Sequence, residues 1–575
     1  MPEKRKRMRV PDWAHDAIWY QIFPERFRNG SRRNDPRLSD FTDRRIPGWR
    51  VTPWGMDWYA LDRWEQPTSD FWKTVYLRRY GGDLIGVRQK LGYLQDLGIN
   101  AIYLNPVFQA QSLHKYDASC LHHIDPTFGP DRAGDLKKIA RARETEDPRS
   151  WIWTEADRYF IEFLRDARAR GIRVIIDGVF NHVGRDFFGF RDLLKHGRKS
   201  RYADWFLIKK WNDDGSFEYD GWFGHKALPE FARTKNDLVA PVREYVFDIT
   251  RRWMDPDGDG DPSDGIDGWR LDVAFCVPLG FWRKWRRVVK GINPDAYVTA
   301  EIVGRADEYL RGDTFDAVMN YMWMYPTVNF FAPRVGNYPA REVRRRLEQL
   351  RRAYSPECLP VLQNLLDSHD VGRVSSMMAN MRKPIESFGE YFECARVKHR
   401  PEFKTGRPDS DVWQALRQAI VFQMCGVGAP MLYYGTEAGM WGANDPCDRQ
   451  PMLWDDILYD DERHTVDSLA RRQPRAVDAD LVAFVKKAIA LRTAHPALRR
   501  GSIRWLTTGN DRVLAFERKL EGDRIRAWFN AGDCDYATRL PRGTFMDLWS
   551  DERLPSGAPL RVPARSWRIL ASSPQ

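Results

Sequence analysis

Eight short apolar segments alternate with amphipathic helical patterns along most of this sequence. Parallel strands that are covered on both faces by helices are apolar throughout, whereas half-exposed strands alternate between apolar and polar residues. Eight such strand–helix units predict an α/β fold that closes into a (β/α)8 TIM barrel, with functional residues at the carboxyl ends of the strands. The predicted strands are 17–24, 101–108, 172–177, 268–273, 297–302, 316–321, 361–366 and 430–434.

Helical patterns lie between or after these strands. In the last of them, Leu481, Phe484, Val485 and Ala488 have the i, i+3, i+4 spacing of one buried helix face. The predicted helices are 84–97, 155–170, 242–254, 281–292, 341–352, 413–424 and 481–491.

The units are unevenly spaced, and the spacing predicts three domains. A long connection after the third strand, rich in Trp, Asp and Gly, indicates a small inserted domain at 184–241. After Pro496, short alternating runs at 513–516, 525–529 and 566–570 predict a C-terminal antiparallel β-sandwich domain at 497–575. The barrel itself is then expected to span 12–183 and 242–496.

Composition excludes several classes of protein. The net charge of +11 raises the question of nucleic acid, but basic runs such as 344–346 and 351–352 fit solvated helix faces, so no nucleic-acid partner is predicted. Seven scattered cysteines without a CxxC pair argue against a disulfide framework and against a zinc site. No apolar stretch reaches the roughly 20 residues of a membrane helix, and the N-terminus lacks an apolar signal region. A cytoplasmic protein without a membrane partner is expected, although a processed secreted chain would look the same.

Charged side chains follow several of the predicted strands. They are Asp177 and His182 after the third, Arg270 and Asp272 on the fourth, Glu301 on the fifth, and Asp367, His369 and Asp370 after the seventh. A single carboxylate at a strand end is routinely a structural hydrogen-bond partner. Four strands that bring such groups to one mouth are hard to explain by packing, because buried charge costs several kcal/mol unless it is paired or binds something.

Four of these stretches, taken in order, resemble the conserved regions of the α-amylase family of glycoside hydrolases. They are Asp-Gly-Val-Phe-Asn-His (177–182), Gly-Trp-Arg-Leu-Asp-Val-Ala (268–274), Thr-Ala-Glu-Ile (299–302) and Leu-Leu-Asp-Ser-His-Asp (365–370). Segments 19–27, 94–104, 114–117, 315–321 and 433–437 extend the resemblance over nearly the whole chain. It is strongest to the cyclomaltodextrinase, neopullulanase and maltogenic amylase branch, which cleaves α-1,4-glucosidic bonds in small or cyclic maltodextrins. Leu-Pro-Glu-Phe (228–231) lies where that branch has its fifth region.

The resemblance implies a role for each matched residue. Asp272 matches the nucleophile, Glu301 the acid/base that must be protonated before cleavage, and Asp370 the carboxylate that grips sugar hydroxyls and favours a distorted, oxocarbenium-like ring. Arg270, two residues before Asp272 on one strand, points to the same side and can hold Asp272 ionised. The expected substrate-binding residues are Tyr116, Asp177, His182, Arg270, His369 and Arg373.

A structural calcium ion is the cofactor that the resemblance implies. Residues that match a calcium site of the branch are Asn29, Asn34, Asp35, Gly81 and Asp83. They supply the oxygen ligands that hard cations prefer, although Ser31 stands where an aspartate is usual. A second stretch, 255–261, alternates acidic residues like the start of an EF-hand. Its twelfth position is Ile266 instead of a bidentate Glu, so an acidic surface turn explains it equally well.

We therefore expect a retaining α-glucan hydrolase that acts on cyclodextrins or maltodextrins, with some transglycosylation. An α-amylase acting on long starch chains and a 4-α-glucanotransferase use the same machinery and remain alternatives. A non-catalytic binding or chaperone-like protein on the same fold is a third, but the presence of Asp272, Glu301 and Asp370 together argues against it.

The sequence departs from the branch at its outer parts. Branch members usually carry an N-terminal β domain that reaches a second subunit, whereas here the barrel is predicted to begin near residue 12. A monomer, or a dimer not built on such a domain, is expected. Segments 42–80, with five tryptophans, and 378–408 are unusual, and we hypothesise that they line outer subsites. The tryptophans could equally anchor the first segment to the barrel.

Overall fold

A computed structural model describes residues 9–467 and 469–572, and its centre is a barrel of eight parallel strands. Each strand is hydrogen-bonded in register to its neighbours, and an isolated parallel bridge between Met319 and Gln363 joins the sixth strand to the seventh. The strands are Trp19–Ile22, Ala101–Leu104, Arg173–Gly178, Gly268–Leu271, Tyr297–Ala300, Ala317–Val318, Gln363–Leu365 and Ala429–Tyr433. The predicted TIM barrel is confirmed, with strands shorter than the apolar runs that predicted them.

Helices surround the barrel, and their apolar faces are buried against it. The predicted helix at 84–97 is two helices in the structure, because Lys90 leaves the helical region at φ −99° and ψ 7°. The α-helices of five or more residues are Leu84–Gln89, Leu91–Leu97, Arg132–Arg141, Glu155–Ala169, Phe188–His196, Ala240–Met254, Leu279–Ile292, Tyr321–Phe331, Ala340–Ala353, Val374–Asn380, Phe388–Cys394, Ser410–Cys425, Ala479–Ala494 and Pro496–Arg500.

Antiparallel sheets lie outside the barrel. Within the segment predicted as an inserted domain, Ile208–Trp211 pairs with Phe217–Tyr219. The C-terminal strands form a six-stranded and a two-stranded sheet around a second apolar cluster. Those strands are Ser502–Trp505, Val513–Leu520, Asp523–Asn530, Tyr536–Arg539, Phe545–Asp547, Arg553–Leu554, Pro559–Val562 and Ser566–Ser572. The domain boundaries themselves stay predictions.

Within the described ranges, every helix is too short or too polar to cross a bilayer. The cytoplasmic location stays a prediction, and residues 1–8 of the N-terminal stretch that was searched for a signal region lie outside the described residues. Among the described residues, Cys120, Cys276, Cys394, Cys425, Cys447 and Cys534 form no disulfide.

The five tryptophans of segment 42–80 serve largely as anchors. Trp58 is fully buried and Trp64 nearly so, while the indole of Trp54 donates to the carbonyl of Met452 at 2.9 Å. A different aromatic residue of the segment, Tyr76, is exposed over 46% of its surface. The anchoring interpretation therefore accounts for these tryptophans, and the lining of outer subsites by segments 42–80 and 378–408 stays a prediction.

Candidate active site

The guanidinium of Arg270 is the centre of the polar cluster at the mouth of the barrel. Arg270 is fully buried on the fourth barrel strand, and its Nη1 lies 2.8 Å from Asp272 Oδ1 and 2.9 Å from both carboxylate oxygens of Asp177. Its Nη2 lies 2.7 Å from Glu301 Oε2. One carboxylate at the end of each of the third, fourth and fifth strands therefore contacts the same cation. This brings the predicted nucleophile Asp272 close to the predicted acid/base Glu301.

The backbone just after Asp272 is strained. Val273 has φ 35° and ψ 46°, in the left-handed region that a β-branched residue rarely adopts. This conformation directs the N–H of Val273 to Glu301 Oε2 at 3.0 Å. The strain is thus coupled to a contact that fixes one oxygen of Glu301, as is common where a site is preorganised.

Electrostatics leave this cluster short of positive charge. Burial raises the pKa of Asp272 and of Asp177, and the charge of Arg270 opposes both rises. Burial and then the neighbouring Glu301 raise the pKa of Asp370 to about 7. Carboxyl groups this close titrate together, so these shifts belong to the group of carboxyls and not to one residue alone.

Tyr116 and His369 form a flat wall beside these carboxylates. Their rings stack with centroids 5.6 Å apart and 13° between planes, and the Tyr116 hydroxyl donates to Asp177 Oδ2 at 3.0 Å. Nε2 of His369 lies 3.3 Å from Asp370 Oδ1, and Nδ1 lies 2.8 Å from the side-chain amide of Gln21. Burial, and then the charge of Arg449, lower the pKa of His369 well below its usual range, so the ring is neutral.

His182 lies at the end of the third strand with a free nitrogen. Its Nε2 is buried and has no hydrogen-bond partner among the described residues, and burial lowers the pKa of His182 to about 3. The ring of Trp222, from the inserted segment, lies 5.5 Å away. A neutral, unpartnered imidazole nitrogen in this position can bind a substrate hydroxyl.

Arg373 lies apart from this cluster, and a different arginine takes part in it. Arg373 is buried under the rings of Tyr433 and Tyr434 and donates to the Tyr434 carbonyl at 2.8 Å. Arg449 instead donates to the carbonyl of His369 at 2.8 Å and reaches Asp370 Oδ1 at 3.5 Å. Sequence reasoning missed Arg449. Its position in the loop after the eighth strand is the one signal that points to it.

The five predicted calcium ligands lie together where two stretches of the chain, 29–35 and 81–83, meet. Asn29 Nδ2 donates to Asp35 Oδ1 at 2.6 Å, and Asn34 Nδ2 donates to Asp83 Oδ2 at 3.0 Å. A Cβ on Gly81 would lie 2.4 Å from Asp35 Oδ1, so that only glycine fits there. Burial raises the pKa of Asp35, and it raises that of Asp83 to about 7.

The acidic stretch at 255–261 folds as a turn in which side-chain oxygens accept hydrogen bonds from the backbone N–H groups of the same stretch. Oxygens of Asp255 accept the N–H groups of Gly258 and Gly260 at 3.1 Å each. Ile266, the position that an EF-hand would give to Glu, is fully buried. Asp264 comes near Asp255 and Asp257 instead, and its pKa is raised by burial and by their charges.

Comparisons with known proteins show what this chain is similar to. The family described as "Alpha amylase, catalytic domain" matches residues 21–147 and 156–397. Neopullulanase 2 of Thermoactinomyces vulgaris is 35% identical over 526 residues, which is 91% of this chain and 70% of the relative. A cyclomaltodextrinase of Bacillus sp is 34% identical over 537 residues, 93% of this chain and 76% of the relative. The ligand-free cyclic α-maltosyl-(1→6)-maltose hydrolase of Arthrobacter globiformis superposes with a TM-score of 0.69 at 26% identity, covering 98% of this chain and 100% of that one.

Proposed function

This chain belongs to the α-amylase family of glycoside hydrolases, and from that premise we propose that it hydrolyses α-1,4 bonds of cyclodextrins and short maltodextrins with retention. The observation that carries the retaining mechanism is the bridge from Arg270 to Asp272 and Glu301, at 2.8 and 2.7 Å. Retaining enzymes need their two carboxyl groups about 5–5.5 Å apart, and inverting enzymes need a wider gap that holds a water. Two carboxylates that share one guanidinium fit the narrow separation.

In the first step, Asp272 attacks the anomeric carbon while Glu301 donates its proton to the glycosidic oxygen. The bond to the leaving sugar breaks, and a covalent glycosyl ester forms on Asp272. Arg270 and the N–H of Val273 both bind Oε2 of Glu301, which leaves Oε1 to carry the transferred proton. In the second step, ionised Glu301 takes a proton from water, whose oxygen displaces Asp272. A sugar hydroxyl in place of that water gives transglycosylation.

Substrate contacts follow from the groups around the carboxylates. The stacked Tyr116 and His369 offer a flat face to a sugar ring, and Nε2 of His182 offers a hydrogen-bond partner to a hydroxyl. Asp370 is partly exposed at 22% of its side chain and lies where its charge can stabilise an oxocarbenium-like ring. The names of two relatives, a cyclomaltodextrinase and a hydrolase of a cyclic tetrasaccharide, support a preference for cyclic substrates.

A product time course on β-cyclodextrin, soluble starch and pullulan with one preparation tests the substrate preference. We expect the highest kcat/KM on β-cyclodextrin, with linear maltodextrins as first products. Faster cleavage of starch would instead favour an ordinary α-amylase, and growth of chains longer than the donor would favour a glucanotransferase. Proton NMR of fresh hydrolysate tests the stereochemistry. α-Anomers must appear first, and initial β-anomers contradict the double displacement.

We also propose that the site formed by stretches 29–35 and 81–83 holds one calcium ion. The donor set is entirely oxygen, and Oδ1 of Asn34 is buried without a hydrogen-bond partner among the described residues. Calcium would neutralise Asp35 and Asp83 and stabilise the site, without a part in the chemical steps. Asp83 also caps the helix Leu84–Gln89 through Gly86, so the ion would tie the site to that helix. A Tm that rises with CaCl2 in wild type but not in Asp35→Asn supports the site. An equal rise in both contradicts it.

The assembly of the chain stays part of this proposal. A monomer or a dimer is expected, and sedimentation velocity distinguishes the two directly. The same measurement in the presence of β-cyclodextrin reports whether substrate changes the state.

A further inference from the structure

Two adjacent histidines and a glutamate form a cluster outside the catalytic machinery. His122 and His123 follow the loop that carries Tyr116, and Glu144 lies in the irregular segment between helices Arg132–Arg141 and Glu155–Ala169. All three line a cavity of about 690 Å³ that also reaches Lys115, the neighbour of Tyr116. The two histidines are nearly fully buried, so their polar atoms are held within the protein or face this cavity.

The ligand atoms of the three residues converge. Nε2 of His123 lies 3.0 and 3.1 Å from the two carboxylate oxygens of Glu144, and Nε2 of His122 lies 3.6 Å from Oε2. A tetrahedral zinc ion with bonds of about 2.0–2.1 Å separates its ligand atoms by about 3.3 Å. The distances from both histidines to Glu144 are close to that spacing, and the three ligand atoms all lie within 4.8 Å of one another.

Surrounding groups hold both rings in the orientation that this requires. Nδ1 of His123 lies 2.8 Å from Asp157 Oδ2. A carboxylate bound to one imidazole nitrogen in this way orients the ring, so that the other nitrogen, Nε2, faces the metal position. His122 stacks on Trp151 with 4.7 Å between centroids and 2° between planes. Glu144 Oε1 accepts the N–H of Ile152 at 2.7 Å, which fixes the carboxylate.

The charges around the cluster call for one further cation. Glu144 and Asp157 contribute two negative charges, and Arg252, whose Nη2 lies 3.3 Å from Asp157, contributes one positive charge. The missing positive charge is either a second proton on His123 or a metal ion. Two imidazoles converge on the carboxylate of Glu144. A protonated His123 would pair with Glu144 without His122, so the presence of the second ring favours the metal ion.

We propose that His122, His123 and Glu144 bind one zinc-class transition-metal ion, with its fourth position open to the cavity. Imidazole nitrogens select such ions, whereas the all-oxygen site formed by stretches 29–35 and 81–83 suits calcium. Cysteine spacing had argued against a zinc site, and this one uses no cysteine. The ion clamps the 142–154 segment to the chain that carries Tyr116.

Isothermal titration with ZnCl2 on the full chain, without an affinity tag and with excess CaCl2 to fill oxygen-ligand sites, tests the proposal. His122→Phe keeps the ring on Trp151 and removes one ligand, and Glu144→Gln removes another while keeping an acceptor for Ile152. His196→Phe, on the surface away from the cluster, is the matched control. CoCl2 added to the same proteins reports tetrahedral coordination through its visible absorption.

Wild type is expected to bind one equivalent of zinc, with an affinity lowered at least about tenfold in His122→Phe and in Glu144→Gln but unchanged in His196→Phe. Absence of zinc binding at micromolar concentration in wild type overturns the proposal. So does equal binding in wild type and Glu144→Gln, which keeps the test decisive even if His122→Phe does not fold. In either case the cluster is an imidazolium of His123 held between two carboxylates.

Discussion

The two ends of the barrel both carry buried carboxylates, but they balance them differently. At the amino ends of the strands, Asp267 faces two arginines, Arg173 Nη1 at 2.8 Å and Arg168 Nη2 at 3.2 Å. Asp316 likewise faces Arg286 at 2.7 Å and Lys290 at 2.9 Å. At the mouth, the single guanidinium of Arg270 serves three carboxylates.

The difference separates structural charge from functional charge. Each amino-end carboxylate has two cations and also accepts a backbone N–H, from Val174 for Asp267 and from Val298 for Asp316. These groups need nothing from outside the protein. The mouth holds an excess of negative charge, and it is completed by a partner that develops positive charge. An α-glucoside passing through an oxocarbenium-like transition state is such a partner.

The largest expected effect comes from neutralising carboxylates at the two ends in turn. Asp272→Asn or Glu301→Gln should lower kcat on maltodextrins by about 10³-fold or more, because each removes a separate step of one reaction. Asp267→Asn, an equally buried carboxylate on the same barrel, should leave kcat of the folded protein within about twofold. Initial-rate kinetics with circular dichroism as a check of folding measures both. Activity within tenfold of wild type in either mouth variant contradicts the assignment.

Stability should respond in the opposite sense. Asp316→Asn leaves Arg286 and Lys290 mostly buried without their partner, and breaking a buried pair in this way costs about 3 kcal/mol of unfolding free energy. Asp272→Asn removes one of several anions around Arg270 and should be neutral or slightly stabilising. Chemical denaturation of the two variants measures this contrast. An Asp316→Asn protein as stable as wild type would mean that the amino-end charges are not structural.

A smaller effect is expected at Arg449, where the mouth has its second cation. Burial and Glu301 raise the pKa of Asp370 to about 7, and the charge of Arg449 lowers it. Arg449→Met should therefore raise that pKa further, so that less Asp370 is ionised below neutrality. The acid limb of kcat/KM then moves to higher pH, by about one unit.

The variant Arg449→Lys keeps the charge and should return the acid limb toward its original position. A pH profile of kcat/KM on β-cyclodextrin for the three proteins measures this. An unmoved limb with a uniformly lower rate in both variants would mean that Arg449 acts through its bond to the His369 carbonyl alone.

The sequence predicted the barrel and the carboxylates of its mouth but not how their charges balance. Apolar runs and the motif at 268–274 placed Arg270 and Asp272 on one strand, and the structure brings Asp177 and Glu301 to the same guanidinium. Asp267 and Asp272 flank that same strand and look alike in sequence. The cation of Asp272 is Arg270, only two residues away, whereas the cations of Asp267 are Arg168 and Arg173, at separations of 99 and 94 residues that no local pattern reveals. Arg373 and Arg449 show the same limit. Only tertiary contacts distinguish the arginine that reaches Asp370 from the one under Tyr434.

The smallest expected effect concerns how far the mouth extends beyond the barrel strands. Tyr76 belongs to segment 42–80, and its carbonyl accepts a bond from Arg79 at 3.0 Å, while Arg79 packs over Phe41 at 3.9 Å. Burial and then the charge of Asp445 raise the pKa of Tyr76, and Asp445 pairs with Arg449 in the loop after the eighth strand. An aromatic ring that stacks on a sugar contributes about 1 kcal/mol. Tyr76→Ala should then lower kcat/KM about fivefold.

This loss should fall on one substrate more than on another if Tyr76 borders an outer subsite. We expect kcat/KM on β-cyclodextrin to fall about fivefold and that on soluble starch to change less, because long chains draw on more subsites. Tyr76→Phe keeps the ring and should behave as wild type. A fall shared equally by both substrates would point to a disturbed anchor, and an unchanged ratio with unchanged rates would limit segment 42–80 to holding the barrel wall. Either outcome would mean that the substrate-binding mouth extends no further than Asp370. The barrel strands and their immediate loops would then account for the whole difference in charge balance between the two ends of the barrel.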